Sequence, residues 1–95
     1  MYKAWYCTNP TFRSNPLLTS NNLTATHVMV REVAASDLDS VYTQMQGEIW
    51  SPNGEARQLI KSLGLSHTSM SVGDVIETPD GKFHEVDSIG FREIA

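Results

Sequence analysis

The segment HTSMSVGDVI, residues 67–76, marks the point where the chain passes from a helix into the strands that close a sheet. Four of its first five side chains are polar, and such side chains commonly bond to nearby helix carbonyls and turn amides. Gly73 permits backbone angles that other residues avoid, and Asp74 can accept hydrogen bonds from neighbouring amides. Most of the segment is therefore explained as a structured entry into a strand predicted at 72–78.

The same segment also allows a functional interpretation, in which it lines a shallow site together with the loop at 50–55. A Gly-Asp step before a hairpin recurs where chains enter small SH3-like or PUA-like barrels, some of which bind RNA. The candidate binding residues are Trp50, Ser51, Asn53, Arg57, Lys61, His67, Thr68, Ser69, Ser71 and Asp74.

The helix before this segment has clear start and stop signals in WSPNGEARQLIKSLGL, residues 50–65. Ser51 or Asn53 can cap it, and Pro52 suits the first helical position because its missing N–H is not needed there. Gly64 supplies the left-handed residue that ends a helix. Helical spacing places four apolar side chains on one buried stripe, namely Ala56, Leu59, Ile60 and Leu63.

The other elements follow from alternating apolar residues and from turn signals. An earlier helix is predicted with Ser36 as its N-cap and an end near Gly47. Strands are predicted at 2–7, 27–33, 72–78, 82–87 and 91–94. The element order is ββααβββ, which predicts an α+β fold with an antiparallel sheet and two helices packed on one face.

Residues 8–26 form a long polar loop, TNPTFRSNPLLTSNNLTAT, which contains two Asn-Pro turn signals and no acidic residue. Loops of this length are often functional or mobile, so it is either a binding element or a flexible connector. With the two N-terminal strands it makes up residues 1–35 of a single predicted domain spanning 1–95.

Composition narrows the classes of function. The formal charge of −4 argues against broad, non-specific binding to duplex DNA, which needs a basic face. Cys7 is the single cysteine, which excludes an intramolecular disulfide and a cysteine-based zinc site and suits a reducing compartment. The chain has no apolar run long enough for a leader or a membrane span. We therefore expect a cytoplasmic protein with no membrane partner.

Catalysis receives little support from the sequence. Cys7 could form a nucleophile pair with His27, His67 or His84, and His67 with Asp74 could form an acid–base pair. A structural cysteine and a local hydrogen bond explain these residues more simply. The histidines show no recognised metal-ligand spacing. We therefore predict a protein that is not an enzyme and has no cofactor or metal.

A family resemblance adds to this interpretation. HTSMSVGDVI, followed by a turn and HEVDSIGFREI, resembles the YodL-like module found in small proteins of bacteriophages, plasmids and integrative elements. MQGEIWSPNGEARQLIKSLGL is similar to the segment before this module in phage-type members, so the resemblance covers residues 36–95. It implies an accessory role in mobile DNA, as a modulator of a host protein or an antagonist of host defence, in the bacterial host cytoplasm.

Three hypotheses of function follow. The first is a non-catalytic protein that binds a host or phage protein through the 8–26 loop and the surface of residues 50–55 and 67–71. The second is a nucleic-acid-binding module that uses the hairpin with Arg57 and Lys61. The third is a binder of a small polar ligand such as a nucleotide, held by the 67–74 segment. An edge strand at 2–7 or 91–94 could also pair across a homodimer.

Overall fold

Five strands form one antiparallel sheet in the computed structural model, which describes residues 1–95. The strands, in chain order, are β1 Tyr2–Cys7, β2 His27–Val33, β3 Val75–Glu77, β4 Phe83–Asp87 and β5 Gly90–Ile94. Their order across the sheet is β2-β1-β3-β4-β5, and each neighbouring pair is antiparallel. The prediction of an α+β fold with an antiparallel sheet is confirmed.

Three short helices cover one face of this sheet. They are α1 Leu38–Gln44, α2 Gly47–Trp50 and α3 Arg57–Ser62. Side chains from alternate strand positions, such as Tyr6, Ile76 and Val86, meet Val41 and Ile60 from the helices in the larger apolar cluster. Alternation directs every second side chain of a strand to the same face, so this face is the main core.

The opposite face of the sheet is covered by the 8–26 loop. Leu18 and Leu23 are buried there against Val75 and Ile94 in a second apolar cluster. A short 3-10 turn at Leu23–Ala25 precedes β2. The loop is therefore a packed layer of the domain, which is a different role from the flexible connector that its polar composition also allowed.

The predicted helix boundaries need correction. The single helix expected from Ser51 or Asn53 to Gly64 is instead a turn region followed by the short α3, and the short α2 lies before Ser51. Gly54 has a φ of +84°, and the Ser51 hydroxyl accepts a hydrogen bond from Ala56 N–H at 2.9 Å, so this region closes as turns. Gly47 begins α2 and does not end α1.

The N-cap of α1 is Asp37, not Ser36. The Asp37 carboxylate accepts a hydrogen bond from the Ser40 amide at 2.8 Å, which satisfies one of the free donors at the helix start. Both residues are good capping types, so the sequence located the helix start to within one position.

Two predictions about the strands are also wrong in detail. The third strand begins at Val75, because Gly73 has a φ of +97° and the Asp74 amide donates to the Ser71 carbonyl in a turn. β1 lies between β2 and β3, so residues 2–7 are not an edge. The edges are β2 and β5.

The packing of the 8–26 loop gives a direct prediction. Leu23 is 1% exposed and Leu17, in the same loop, is 78% exposed. We expect Leu23→Ala to lower the free energy of unfolding by about 2–4 kcal/mol because it leaves a cavity. Leu17→Ala is the matched control and should change it by less than about 0.5 kcal/mol. Urea denaturation measures both, and equal losses would contradict a packed loop.

Candidate binding site

The carboxylate of Asp74 organises the segment 67–74. Asp74 is 1% exposed, and its Oδ1 accepts a hydrogen bond from the Cys7 amide at 2.8 Å. Its Oδ2 accepts from the Ser71 amide at 2.8 Å and from His67 Nε2 at 2.9 Å. A buried carboxylate needs such partners. One side chain thereby ties the segment to the end of β1.

His67 is held between two aromatic rings. Its imidazole stacks on Tyr6 with ring centroids 4.7 Å apart and an interplanar angle of 13°. The ring of Phe12, from the 8–26 loop, meets it edge-on at 6.0 Å. His67 Nε2 donates to Asp74, because a carboxylate only accepts. His67 Nδ1 is buried and has no hydrogen-bond partner in the protein.

The Tyr6 hydroxyl connects this segment to the helices. It lies 2.7 Å from the Thr68 carbonyl oxygen and 3.2 Å from that of Met45, at the end of α1. Burial, assisted by the charge of Asp74, raises the pKa of the Tyr6 hydroxyl, so this group stays protonated and remains a donor. The Thr68 carbonyl also accepts from Trp50 Nε1 at 3.1 Å.

The helix α2 lies directly beside residues 67–69. The Gly47 amide donates to the Ser69 hydroxyl oxygen at 2.7 Å. A Cβ built on Gly47 would lie 3.1 Å from this oxygen, so the approach is close. The guanidinium of Arg31 lies 5.2 Å from the centre of the Trp50 ring, within reach of a cation–π interaction.

The ten candidate residues fall into three groups. The first group contains Trp50, which bonds to Thr68, and His67 and Ser71, which both bond to Asp74. Ser69 belongs to it as well, because its carbonyl accepts a hydrogen bond from the Ser71 hydroxyl at 3.0 Å. Ser51 and Asn53 instead serve the turns before α3, where the Asn53 amide donates to Glu55. Arg57 and Lys61 are exposed on α3, with the Arg57 guanidinium packed beside Gly54.

Two exposed apolar side chains belong to elements that contact the segment 67–69, and neither is among the sequence candidates. Phe12 is 55% exposed and touches His67, while Ile49 is 56% exposed on α2. Phe12 is the one non-glycine residue with a positive φ, at 59°. The Asn-Pro signals indicated turns around Phe12, but no local pattern places its ring against His67.

A cleft of about 630 Å³ lies on the opposite, loop-covered side of the sheet and contains Cys7 and His27. These residues are register partners on β1 and β2. Both ring nitrogens of His27 are engaged, Nε2 with the Gly73 carbonyl at 2.7 Å and Nδ1 with the Thr26 hydroxyl at 2.8 Å. Burial raises the pKa of the Cys7 thiol. This arrangement disfavours a thiolate nucleophile activated by His27.

Comparison with known proteins gives no match to any family model, curated protein or solved structure. The resemblance to the YodL-like module therefore stays a prediction. The structure has no helix with the length and apolar character needed to cross a membrane. It also has no cluster of three or more His, Cys, Asp or Glu side chains arranged to hold a metal ion.

Because Asp74 accepts three hydrogen bonds, replacing it by the isosteric asparagine should strongly lower the free energy of unfolding. Asp74→Asn replaces one accepting oxygen with an NH₂ group that faces donors. We expect a loss of about 2–3 kcal/mol in the free energy of unfolding, because buried donors lose a charged acceptor. Asp39→Asn, on the exposed first turn of α1, is the control and should cost much less. Similar losses in urea denaturation would show that Asp74 is not the organising group.

The environment of Cys7 predicts slow thiol chemistry. Burial is the main cause of its raised pKa, and the charges of Asp74 and Glu85 add to it, while the Asn9 amide opposes them. We expect the pH profile of alkylation by iodoacetamide to have a higher midpoint in the folded protein than in urea. An equal or lower midpoint would contradict this environment.

The same raised pKa has a consequence for stability. The folded protein binds the thiol proton more tightly than the unfolded chain does, so the protonated thiol contributes to the free energy of unfolding. This contribution is fully present below the unfolded thiol pKa, about 8.5, and is lost as pH rises through the folded pKa. Cys7→Ser should lose less stability than the wild type over this alkaline range, which thermal melts at several pH values would measure.

Proposed function

We propose that the protein acts by binding another protein through a surface formed by Phe12, Ile49, Trp50 and residues 67–69, called here the Phe12–Ile49 surface. The observation that carries the proposal is the pair of large apolar side chains, each more than half exposed, of which Phe12 contacts His67 and Ile49 belongs to α2, the helix whose Gly47 amide bonds to Ser69. Exposed apolar residues on a rigid support are typical of protein-binding sites.

The backbone at Phe12 supports this proposal. A left-handed conformation costs a residue with a Cβ about 1–2 kcal/mol, and only small polar residues or glycine adopt it readily. Strain of this kind persists where the surrounding structure enforces it, and it concentrates at functional sites. Here it presents a large aromatic ring at the surface, with one edge against His67.

The polar groups of the segment 67–74 and of the cleft on the opposite side of the sheet favour binding over catalysis. Asp74 accepts three hydrogen bonds, His67 Nε2 is committed to Asp74, and both nitrogens of His27 are engaged. The raised pKa of Cys7 keeps its thiol protonated near neutral pH. These contacts support a non-catalytic role.

The proposed setting is mobile DNA, with a host or phage protein as the partner. Its support is the resemblance of residues 36–95 to the YodL-like module, and with it the protein acts in the cytoplasm of a bacterial host. A role as a modulator of a host protein or an antagonist of host defence belongs to this same proposal.

Two other partners have weaker support. Nucleic acid would need a broad basic face, yet the net charge is −4 and Arg92 is paired with Glu85 at 2.6 Å, so the nucleic-acid hypothesis rests on Arg57 and Lys61, two exposed cations on α3. A homodimer through β5 would compete with the 8–26 loop, because the Ser20 amide already bonds to the Ala95 carbonyl next to the end of that strand. A heterologous protein partner is the stronger proposal.

The test is affinity capture from a host lysate with the double variant Phe12→Asn, Ile49→Gln. Asparagine tolerates the positive φ at position 12, so the fold should be kept. Ile89→Gln is the matched control, since Ile89 is 97% exposed on the β4–β5 turn. We expect wild type and control to capture the same protein in stoichiometric amounts, and the double variant to lose it.

The captured protein is then purified and its affinity measured directly. Loss of the two apolar anchors should weaken binding by about tenfold or more, as expected for interface hot spots. Equal binding by the double variant would overturn the proposed surface. Capture of nucleic acid in place of a protein would overturn the proposed class of partner.

A further inference from the structure

The cleft on the loop-covered side of the sheet is a second site, separate from the Phe12–Ile49 surface. Segment 9–15 forms one wall, and the other lining includes Cys7, Thr26 and Gly73 at the ends of β1, β2 and the 67–74 segment. Its volume of about 630 Å³ lies in the range of small-molecule sites.

Segment 9–15 is anchored to the sheet, so the cleft is preformed. The Asn15 amide donates to a carboxylate oxygen of Glu85 at 2.8 Å, and Arg92 donates to the Asn15 carbonyl at 2.8 Å. The segment also crosses closely over Gly73, where an added Cβ would lie 3.0 Å from the Arg13 carbonyl oxygen. Glycine at a φ of +97° allows this approach.

The charges around the cleft leave one free cation. Glu85 lines it and is fully buried, but its charge is balanced by Arg92 at 2.6 Å. Arg13 also lines the cleft, is exposed, and belongs to none of the protein's ion pairs. A guanidinium with free donors suits a phosphate or carboxylate group.

The remaining lining is rich in hydroxyl groups and contains no Phe, Tyr or Trp side chain. Thr11 and Ser14 supply hydroxyls, the Thr26 hydroxyl is shared with His27 Nδ1 at 2.8 Å, and the protonated Cys7 also lines the cleft. The negative charges of Asp74 and Glu85 help to raise the pKa of that thiol. The same charges favour a neutral hydroxyl group of a ligand over an anionic group near Cys7. With no Phe, Tyr or Trp in the lining, a nucleobase would have only the His27 imidazole to stack on.

The geometry points to a binding site for a small anionic sugar, a monosaccharide that carries one phosphate or carboxylate group. The anionic group is held by Arg13, and the sugar hydroxyls bond to the hydroxyl side chains of the cleft. This site differs from that of the nucleotide hypothesis, because only Val72 and Gly73 of the 67–74 segment line the cleft, and it does not depend on a protein partner.

Ribose 5-phosphate is the first probe, titrated into the full chain while backbone amide chemical shifts and the rate of Cys7 alkylation are recorded. Cys7 is the single cysteine and lines the cleft, so its protection reports occupancy of this site. We expect saturable shifts around residues 7–15 and slower alkylation. Glucuronate tests the carboxylate source, and ribose, inorganic phosphate and AMP are the comparison ligands.

The matched variants are Arg13→Gln and Arg57→Gln, which remove one exposed arginine each. Arg13→Gln should weaken binding by about tenfold or more, since a charge-assisted hydrogen bond is lost. Arg13→Lys should fall between it and the wild type, because the charge is kept without the planar fork. Arg57→Gln should bind as the wild type does, and melting temperatures confirm that each variant is folded.

Several outcomes would overturn the inference. No saturable binding of either anionic sugar would exclude the site. Binding that Arg13→Gln and Arg57→Gln reduce equally would indicate general attraction of anions. If inorganic phosphate binds as tightly as ribose 5-phosphate, the site recognises only the anion. If AMP binds more tightly than ribose 5-phosphate, the site recognises the base. The proposal is supported if an anionic sugar protects Cys7 from alkylation and if Arg13→Gln weakens its binding while Arg57→Gln does not.

Discussion

The buried carboxylate of Asp74 joins β1, the turn before β3 and the His67 imidazole. It fixes the Cys7 amide, the Ser71 amide and the His67 ring at one point, where β1 meets the segment that enters β3. An ionised group at 1% exposure is costly unless its lone pairs are used, and here each oxygen accepts at least one bond. The arrangement therefore holds only when strand, turn and imidazole are all in place.

Both proposed binding sites lie next to the segment that the Asp74 carboxylate organises. On one side, His67 stacks on Tyr6 and contacts the exposed ring of Phe12, which belongs to the 8–26 loop. On the other side, the hydrogen bond from the Asp74 amide to the Ser71 carbonyl closes a turn that contains Gly73. The 8–26 loop crosses over Gly73 at Arg13. A single loop thus carries a residue of the protein-binding surface and the cation of the cleft.

The 8–26 loop shows how a polar sequence can be a structural layer. Most of its residues are Thr, Ser, Asn or Pro, yet Leu18 and Leu23 are enough to cover the second face of the sheet. A domain of this size has few apolar residues to spare, so two leucines at the right positions have a large effect. Glu85 supplies the polar anchor by binding Asn15 and Arg92.

The sequence by itself determined the α+β class, the strands at 2–7 and 27–33, and the polar entry to β3. Alternation, capping and turn chemistry are local, and they act over a few residues. It could not place Phe12 against His67, Cys7 beside His27, or β1 in the interior of the sheet. Such contacts join residues tens of positions apart, as with Cys7 and Asp74, 67 positions apart. Only tertiary packing decides them, because no local pattern records which strand or loop will be the neighbour.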